Sequence, residues 1–365
     1  EGVLRTLEPA DPAQADLSVP DTDFFITLDA DSLILPDYAL RLVHHMQQPA
    51  NARVAVAQTP YSAIPAAPGT LERVAGATTD IQYLIHQGFT GYDATYWVGA
   101  NALLRKTALM DIAVTQLERG YSVTRYIQDR TVIEDTESSI DLVARGWSLY
   151  NYPERLAYSA TPPDFGALVI QRGRWANGGL IILPKLLRYL LRNIARRNTP
   201  AQGFMRLHYL TSIAAVNVGL LVLLAVPFKA VNISPWLPLT ALPYFLFYLR
   251  DLTLMGYRKS DLLRVYALNL LLIPVNIGGV LKSLQQAWSG AKIPFARTPK
   301  VAGRTSAPPL YLLAAGALIA HWCVQAGLDL YHHLWAHGLF AAVNAAFLAY
   351  AFVVFVGPRA AQADL

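Results

Sequence analysis

The sequence predicts an α/β domain followed by an α-helical membrane domain, and three observations predict it. Residues 1–170 alternate short apolar runs with helix-compatible stretches, the pattern of a mainly parallel sheet with crossover helices. Charge is divided: residues 1–170 hold 11 Lys/Arg and 21 Asp/Glu, whereas residues 171–365 hold 19 Lys/Arg and only 4 Asp. The basic half also contains several apolar stretches of the roughly 17–25 residues that a bilayer requires. Over the whole chain 54% of residues are hydrophobic and 15% are charged. Soluble domains run at about 45–50% and about 25%, so disorder and a collagen-like fold are excluded. The single cysteine, Cys323, excludes a disulfide scaffold and reads as packing within an apolar run.

Taken in order, residues 1–20 are acidic and rich in Pro and Ala and read as loop. They start with Glu1 and carry no signal-peptide pattern, so the chain reads as a processed product or a fragment. Residues 24–28 form an apolar run that reads as a buried strand delivering Asp29 and Asp31 at its C-terminal end. Pro36 opens a helix to about Met46, residues 54–59 read as a second strand stopped by Pro60, and residues 70–87 suit a helix. Residues 96–104 read as a strand around Gly99, and 106–112 as a short helix. Residues 134–145 fit a helix with acids in its first turn, ended by Gly146, and 147–152 a last strand.

Beyond Gln171 the character changes. Residues 180–197 set Leu, Ile and Tyr against Lys185, Arg188, Arg192, Arg196 and Arg197, as in an amphipathic helix lying at a membrane interface. The expected domains are therefore 1–179 (cytosolic), 180–210 (interface helix and linker) and 211–365 (membrane). Spans are expected at 211–228, 236–253, 310–328 and 339–356. A fifth apolar segment, 265–284, is interrupted by Pro274 and Gly278-Gly279. Placing it in the interface keeps Arg258, Lys259, Arg264, Lys282, Lys292, Arg297, Lys300, Arg304 and Arg359 on the inner side and leaves only Lys229 outside, as the positive-inside bias favours. Basic charge beside apolar spans points to a lipid bilayer as partner. No nucleic-acid motif is present, and nucleic acid is not expected as a partner.

Three segments carry candidate chemistry. Asp29-Ala30-Asp31 offers two carboxylates one residue apart, able to hold a divalent ion against a diphosphate or simply to cap the following turn. Glu134-Asp135 offers a base towards a hydroxyl, or ordinary helix-start acids. Gln171-Arg172-Gly173-Arg174-Trp175 offers a guanidinium for phosphate and an indole face for a sugar ring, or a basic aromatic membrane-interface segment. His333 and His337 stand four apart beside His332 but lack a third ligand, and Trp335 beside them reads as an interface anchor.

Taken together, Asp29-x-Asp31, Glu134-Asp135 and Gln171-x-x-Arg174-Trp175 resemble the motifs of the processive, membrane-embedded members of glycosyltransferase family 2, the cellulose-synthase-like proteins. Phe295-Ala296-Arg297-Thr298-Pro299-Lys300 resembles their gating loop, which gives 265–304 the look of an interfacial helix plus that loop. Gly99-Ala100-Asn101 is similar to the segment at their acceptor end. Ile133 stands where many members have Thr. The resemblance implies a partial GT-A-like α/β domain, with the nucleotide-binding half outside these residues and the 365-residue chain therefore inactive by itself. It implies an inverting, Mg²⁺- or Mn²⁺-dependent hexosyl transfer from a nucleotide sugar, a UDP-sugar, to a growing β-linked polysaccharide at the inner membrane. The implied roles are metal binding for Asp29 and Asp31, and catalysis for Asp135 with Glu134. Arg174, Phe295, Thr298 and Lys300 would bind donor, and Gln171, Trp175, Gly99 and Asn101 acceptor. Two alternatives remain open: single-sugar transfer to a lipid carrier, and a non-catalytic membrane scaffold or transporter.

Overall fold

The computed structural model describes residues 21–64, 67, 69–99, 101–127, 131–193, 199–225, 236–289 and 303–365. The first part is a mixed α/β unit. Its main sheet has the order β1 (Phe24–Thr27), β5 (Ala102–Arg105), β3 (Val54–Gln58), β8 (Ser148–Asn151). β5 runs antiparallel to both neighbours, and only β3 and β8 are parallel. A second sheet joins β2 (Ser32–Ile34), β9 (Ala157–Ser159) and β4 (Tyr61–Ala63), with β4 and β9 parallel.

Every residue of β3 is buried. One core, with Trp97, Leu104, Leu142 and Leu149, holds Val56. Another, with Tyr38, Leu42 and Leu103, holds Ala57. A strand covered on both faces reads as an unbroken apolar run, which is why this one was legible. The helices of this unit are α1 (Tyr38–Gln47), α2 (Thr70–Thr90), α3 (Lys106–Asp111) and α4 (Glu134–Ala144).

Three expectations need correction. The sheet is mixed, not mainly parallel. The expected strand over 96–104 is only four residues long, because Gly99 (φ +95°) and Asn101 (φ +61°) are left-handed and cannot be part of a strand. β1 lies at the sheet edge with Phe25 37% and Ile26 39% exposed, so among the described residues it is not a buried strand. The sequence reading also missed a hairpin, β6 (Val114–Glu118) and β7 (Tyr121–Arg125). Its two-residue turn, Arg119-Gly120, has both φ values positive, as a type I′ turn requires.

The link to the second part is a single helix, α5 (Phe165–Asn193), about 43 Å long. Asp164 caps it by accepting the Ala167 N–H at 2.8 Å. It runs through positions 179 and 180 without a break and carries residues 171–175 within it.

Then follow α6 (Pro200–Ala225), α7 (Leu242–Leu254), α8 (Asp261–Ser289), α9 (Pro309–Tyr331), α10 (Trp335–Ala351) and a short α11 (Pro358–Asp364). Four helical stretches are long and apolar enough to cross a membrane: Pro200–Leu223, Asp261–Ser289, Pro309–Tyr331 and Trp335–Val356. α7 has 13 residues, about 20 Å, and approaches bilayer thickness only together with the 3-10 turn Leu237–Ala241 before it. α8 is one continuous helix despite Pro274.

Polar contacts fasten the two parts. Tyr257 donates to Asp80 at 2.8 Å, Ser62 donates to the same carboxylate, and Arg73 on α2 and Arg264 on α8 share the buried Asp261.

Candidate active site

The site forms where the loops of the α/β unit meet α5. Asp29-Ala30-Asp31 makes the turn between β1 and β2, closed by the Ser32 N–H on the Asp29 carbonyl at 2.9 Å. Asp29 is exposed. Asp31 is half-buried, and its Oδ2 accepts from Ser159 Oγ and the Ala160 N–H, both at 3.0 Å. β9 thus fixes the direction of one carboxylate while the other stands in solvent.

The Glu134-Asp135 pair opens α4. Asp135 Oδ1 accepts the N–H of Thr136, and Thr136 and Ser139 bind the preceding loop at the carbonyl and N–H of Trp97. Trp97 Nε1 in turn donates to the Gly99 carbonyl at 2.6 Å, and Gln58 holds the Val98 N–H and the Tyr96 carbonyl. This brings Gly99 against Asp135: a Cβ there would stand 2.8 Å from Asp135 Oδ2. Burial and the adjacent Glu134 carboxylate push the Asp135 carboxyl up to about 7, against the pull of the Thr136 hydrogen bonds and the Arg174 guanidinium. One and two turns further along α4, Glu137 and Asp141 are both ion-paired to Lys185 of α5. The helix bearing Asp135 is therefore tied to the helix bearing Gln171, Arg174 and Trp175.

On α5, Arg172 donates to Thr78 Oγ1 at 2.6 Å and lies 4.4 Å over the Trp175 ring, fixing the plane of the indole. The sequence singled out Trp175 but gave Arg172 no role. Its supporting contact is with α2, 94 residues away in sequence, and leaves no local signature.

Asp29, Asp31, Gly99, Glu134, Asp135, Gln171, Arg174 and Trp175 all line one cavity of about 1270 Å³. It continues between α6, α7 and α8, past Ser212, Asn217, Tyr244, Tyr266 and Asn276. Asn101 does not line it. It is fully buried, donating its N–H to Thr27 and accepting from the Thr59 N–H. Phe295, Thr298 and Lys300 lie outside the described residues, as does Ala100.

Among the described residues no three His, Cys, Asp or Glu side chains gather as a complete metal site. His337 instead pairs with the buried Asp329. Two hard carboxylates at a cavity wall nonetheless suit Mg²⁺ or Mn²⁺, which take the rest of their shell from water and phosphate oxygens.

Comparison with known proteins agrees with these motifs. Residues 24–249, more than half of the chain, match the model of glycosyl transferase family group 2. Putative cellulose synthases 2 and 3 of Komagataeibacter xylinus are each 28% identical over 174 residues, 46% of this chain and 10% of theirs. An N-acetylglucosaminyltransferase of Rhizobium leguminosarum bv. viciae is 23% identical over 317 residues, 78% of this chain and 66% of its own. The chain thus spans about a tenth of the two synthases and just under two thirds of the third relative. With residues 24–249 covered by that model, the chain belongs to glycosyl transferase family group 2.

Proposed function

We propose that this chain carries the reaction centre of an inverting hexosyltransferase that moves a sugar from a nucleotide donor, a UDP-sugar, to a growing β-linked polysaccharide. The observation that carries the proposal is the single cavity. Its walls hold the acid pair, Asp135, Arg174 and Trp175 at one end, and its other end lies between α6, α7 and α8. A glycan extended at the first end would lie along the residues that line the second.

Asp135 accepts the proton of the acceptor hydroxyl as that oxygen bonds to the anomeric carbon. The bond from that carbon to the diphosphate breaks on the opposite face, and the nucleoside diphosphate leaves with the electron pair. A base poised near 7 suits this task at neutral pH. Arg174 stabilises the charge growing on the leaving group. Asp29 and Asp31 would hold a Mg²⁺ or Mn²⁺ ion, which supplies further neutralisation of the diphosphate when bound. Gln171 and Trp175 hold the terminal sugar of the acceptor.

For the membrane we propose an inner-membrane protein with its α/β unit cytoplasmic and α8 lying along the interface. Two contacts support this placement of α8. Asp261 at its start binds Arg73 of α2, and Ser283 near its end binds Asn177 of α5, so both ends lie against helices that build the site. Of its most apolar stretch, 56% is buried inside the protein, against 17% and 22% for Pro200–Leu223 and Pro309–Tyr331.

The test is transfer from a panel of radiolabelled nucleotide sugars by the full-length protein that contains these residues, in lipid nanodiscs, with products sized. Long polymer supports the proposal. A single sugar on a lipid carrier would replace the acceptor assignment, and no turnover with any donor would leave a scaffold.

A further inference from the structure

His86, on the cavity-facing side of α2, is 3% exposed, and both its ring nitrogens lack a hydrogen-bond partner among the described residues. The ring is enclosed by aromatic side chains: Phe89 stacks on it at 5.7 Å, Tyr209 of α6 meets it at 4.8 Å and Tyr83 at 6.0 Å. His86, Tyr83, Phe89 and Tyr209 all line the cavity that contains Asp135 and Trp175. A buried polar atom left unpaired costs about 1–3 kcal/mol, and two on one side chain call for a partner that the described residues do not provide.

The chemistry of the surroundings selects that partner. Burial pushes the imidazole down to about 4, so the ring is neutral at physiological pH and offers one donor and one acceptor. A phosphate or carboxylate would gain no charge from it. A sugar hydroxyl both donates and accepts, and the apolar faces of a pyranose suit the flanking rings. We infer that His86 is a hydrogen-bonding subsite for a hydroxyl of the acceptor glycan, set in an aromatic collar on the wall of the cavity. The inference rests on the glycosyl-transfer reading for the identity of the ligand.

The experiment measures equilibrium binding of a soluble β-linked tetrasaccharide to the full-length protein that contains these residues, in nanodiscs, alongside transfer, for wild type, His86→Phe and His86→Gln. One lost net hydrogen bond corresponds to about tenfold in affinity. The expected result is about tenfold weaker glycan binding for H86F, with nucleotide affinity unchanged and binding largely restored in H86Q. Melting temperature supplies the readout that a packing role would move: H86F should melt at or above wild type, because two unpaired polar atoms are gone. If H86F does not fold, His86→Leu takes its place. Glycan affinity within twofold of wild type in H86F or H86L overturns the inference, as does a wild type that binds no glycan. Glycan binding that depends on His86 in a protein that transfers no sugar would sustain the subsite and overturn the transfer reading instead.

Discussion

Gly99 faces the carboxylate of Asp135 so closely that a single added methyl would sit 2.8 Å from its Oδ2, and its φ of +95° is one that side chains rarely adopt. The close approach is set by Thr136 and Ser139, which bind the carbonyl and N–H of Trp97 and hold the loop that precedes β5 against the first turn of α4. G99A should therefore lose roughly 1–2 kcal/mol of stability from the backbone alone. Its larger effect should fall on transfer, because a displaced Asp135 no longer meets the acceptor hydroxyl. Thermal melting and turnover measured on the same preparation check both; turnover equal to wild type would mean that the carboxylate is not held by this contact.

Asp135→Asn should reduce transfer about 10²–10⁴-fold, the range of a lost general base, while nucleotide binding stays near wild type. The activity of the wild type should rise with pH through about 7 as Asp135 ionises. Glu134→Gln removes the neighbouring like charge and should move that limb to lower pH.

Stability gives an independent check. The folded pKa of Asp135 lies above its ordinary value of 3.8, so its ionisation opposes folding, fully above about pH 7 and not at all below about 3.8. D135N should melt higher than wild type at pH 8 and equal to it near pH 4.

Asp31→Asn keeps an oxygen that can accept from Ser159 and Ala160 but removes the charge. UDP binding that depends on Mg²⁺ or Mn²⁺ should fall at least tenfold, with the melting temperature nearly unchanged. Titration of UDP with and without EDTA reads this directly. Metal-dependent binding as tight as wild type would remove the acid pair from the donor site.

Topology is testable by single cysteines introduced after Cys323→Ser. K259C, just before α8, and K282C, in its last two turns, should both resist a membrane-impermeant maleimide added outside intact cells, whereas H333C, in the turn between α9 and α10, should label. Labelling of one but not the other of the α8 pair would mean that this helix crosses the bilayer.

Elements with local causes could be read from the chain. β3 was legible from its apolar run stopped by Pro60, α4 from its first-turn acids, and its end from the residue type of Gly146. What escaped depends on partners distant in sequence. Whether Phe25 and Ile26 are covered is decided by sheet order, and the direction of β5 by the turn through Gly99 and Asn101. His86 became notable only once α2 was packed against Tyr209 of α6. The motif residues were recognisable by type and spacing, but that eight of them share one wall is a property of tertiary packing.

The helix Phe165–Asn193 continues unbroken through Gly178-Gly179 and Pro184, with Phe165 and Leu168 packed in the apolar helix core and Lys185 tied to Glu137 and Asp141 of the α/β unit. A molecule built this way offers recombination no seam. Exchanging the catalytic unit of one such protein for that of another would have to cut through the helix or replace Tyr209, Tyr244 and Tyr266 together with Asp135 and Trp175. The two halves should accordingly be inherited as one block, and an evolved change of glycan should leave its marks on both at once.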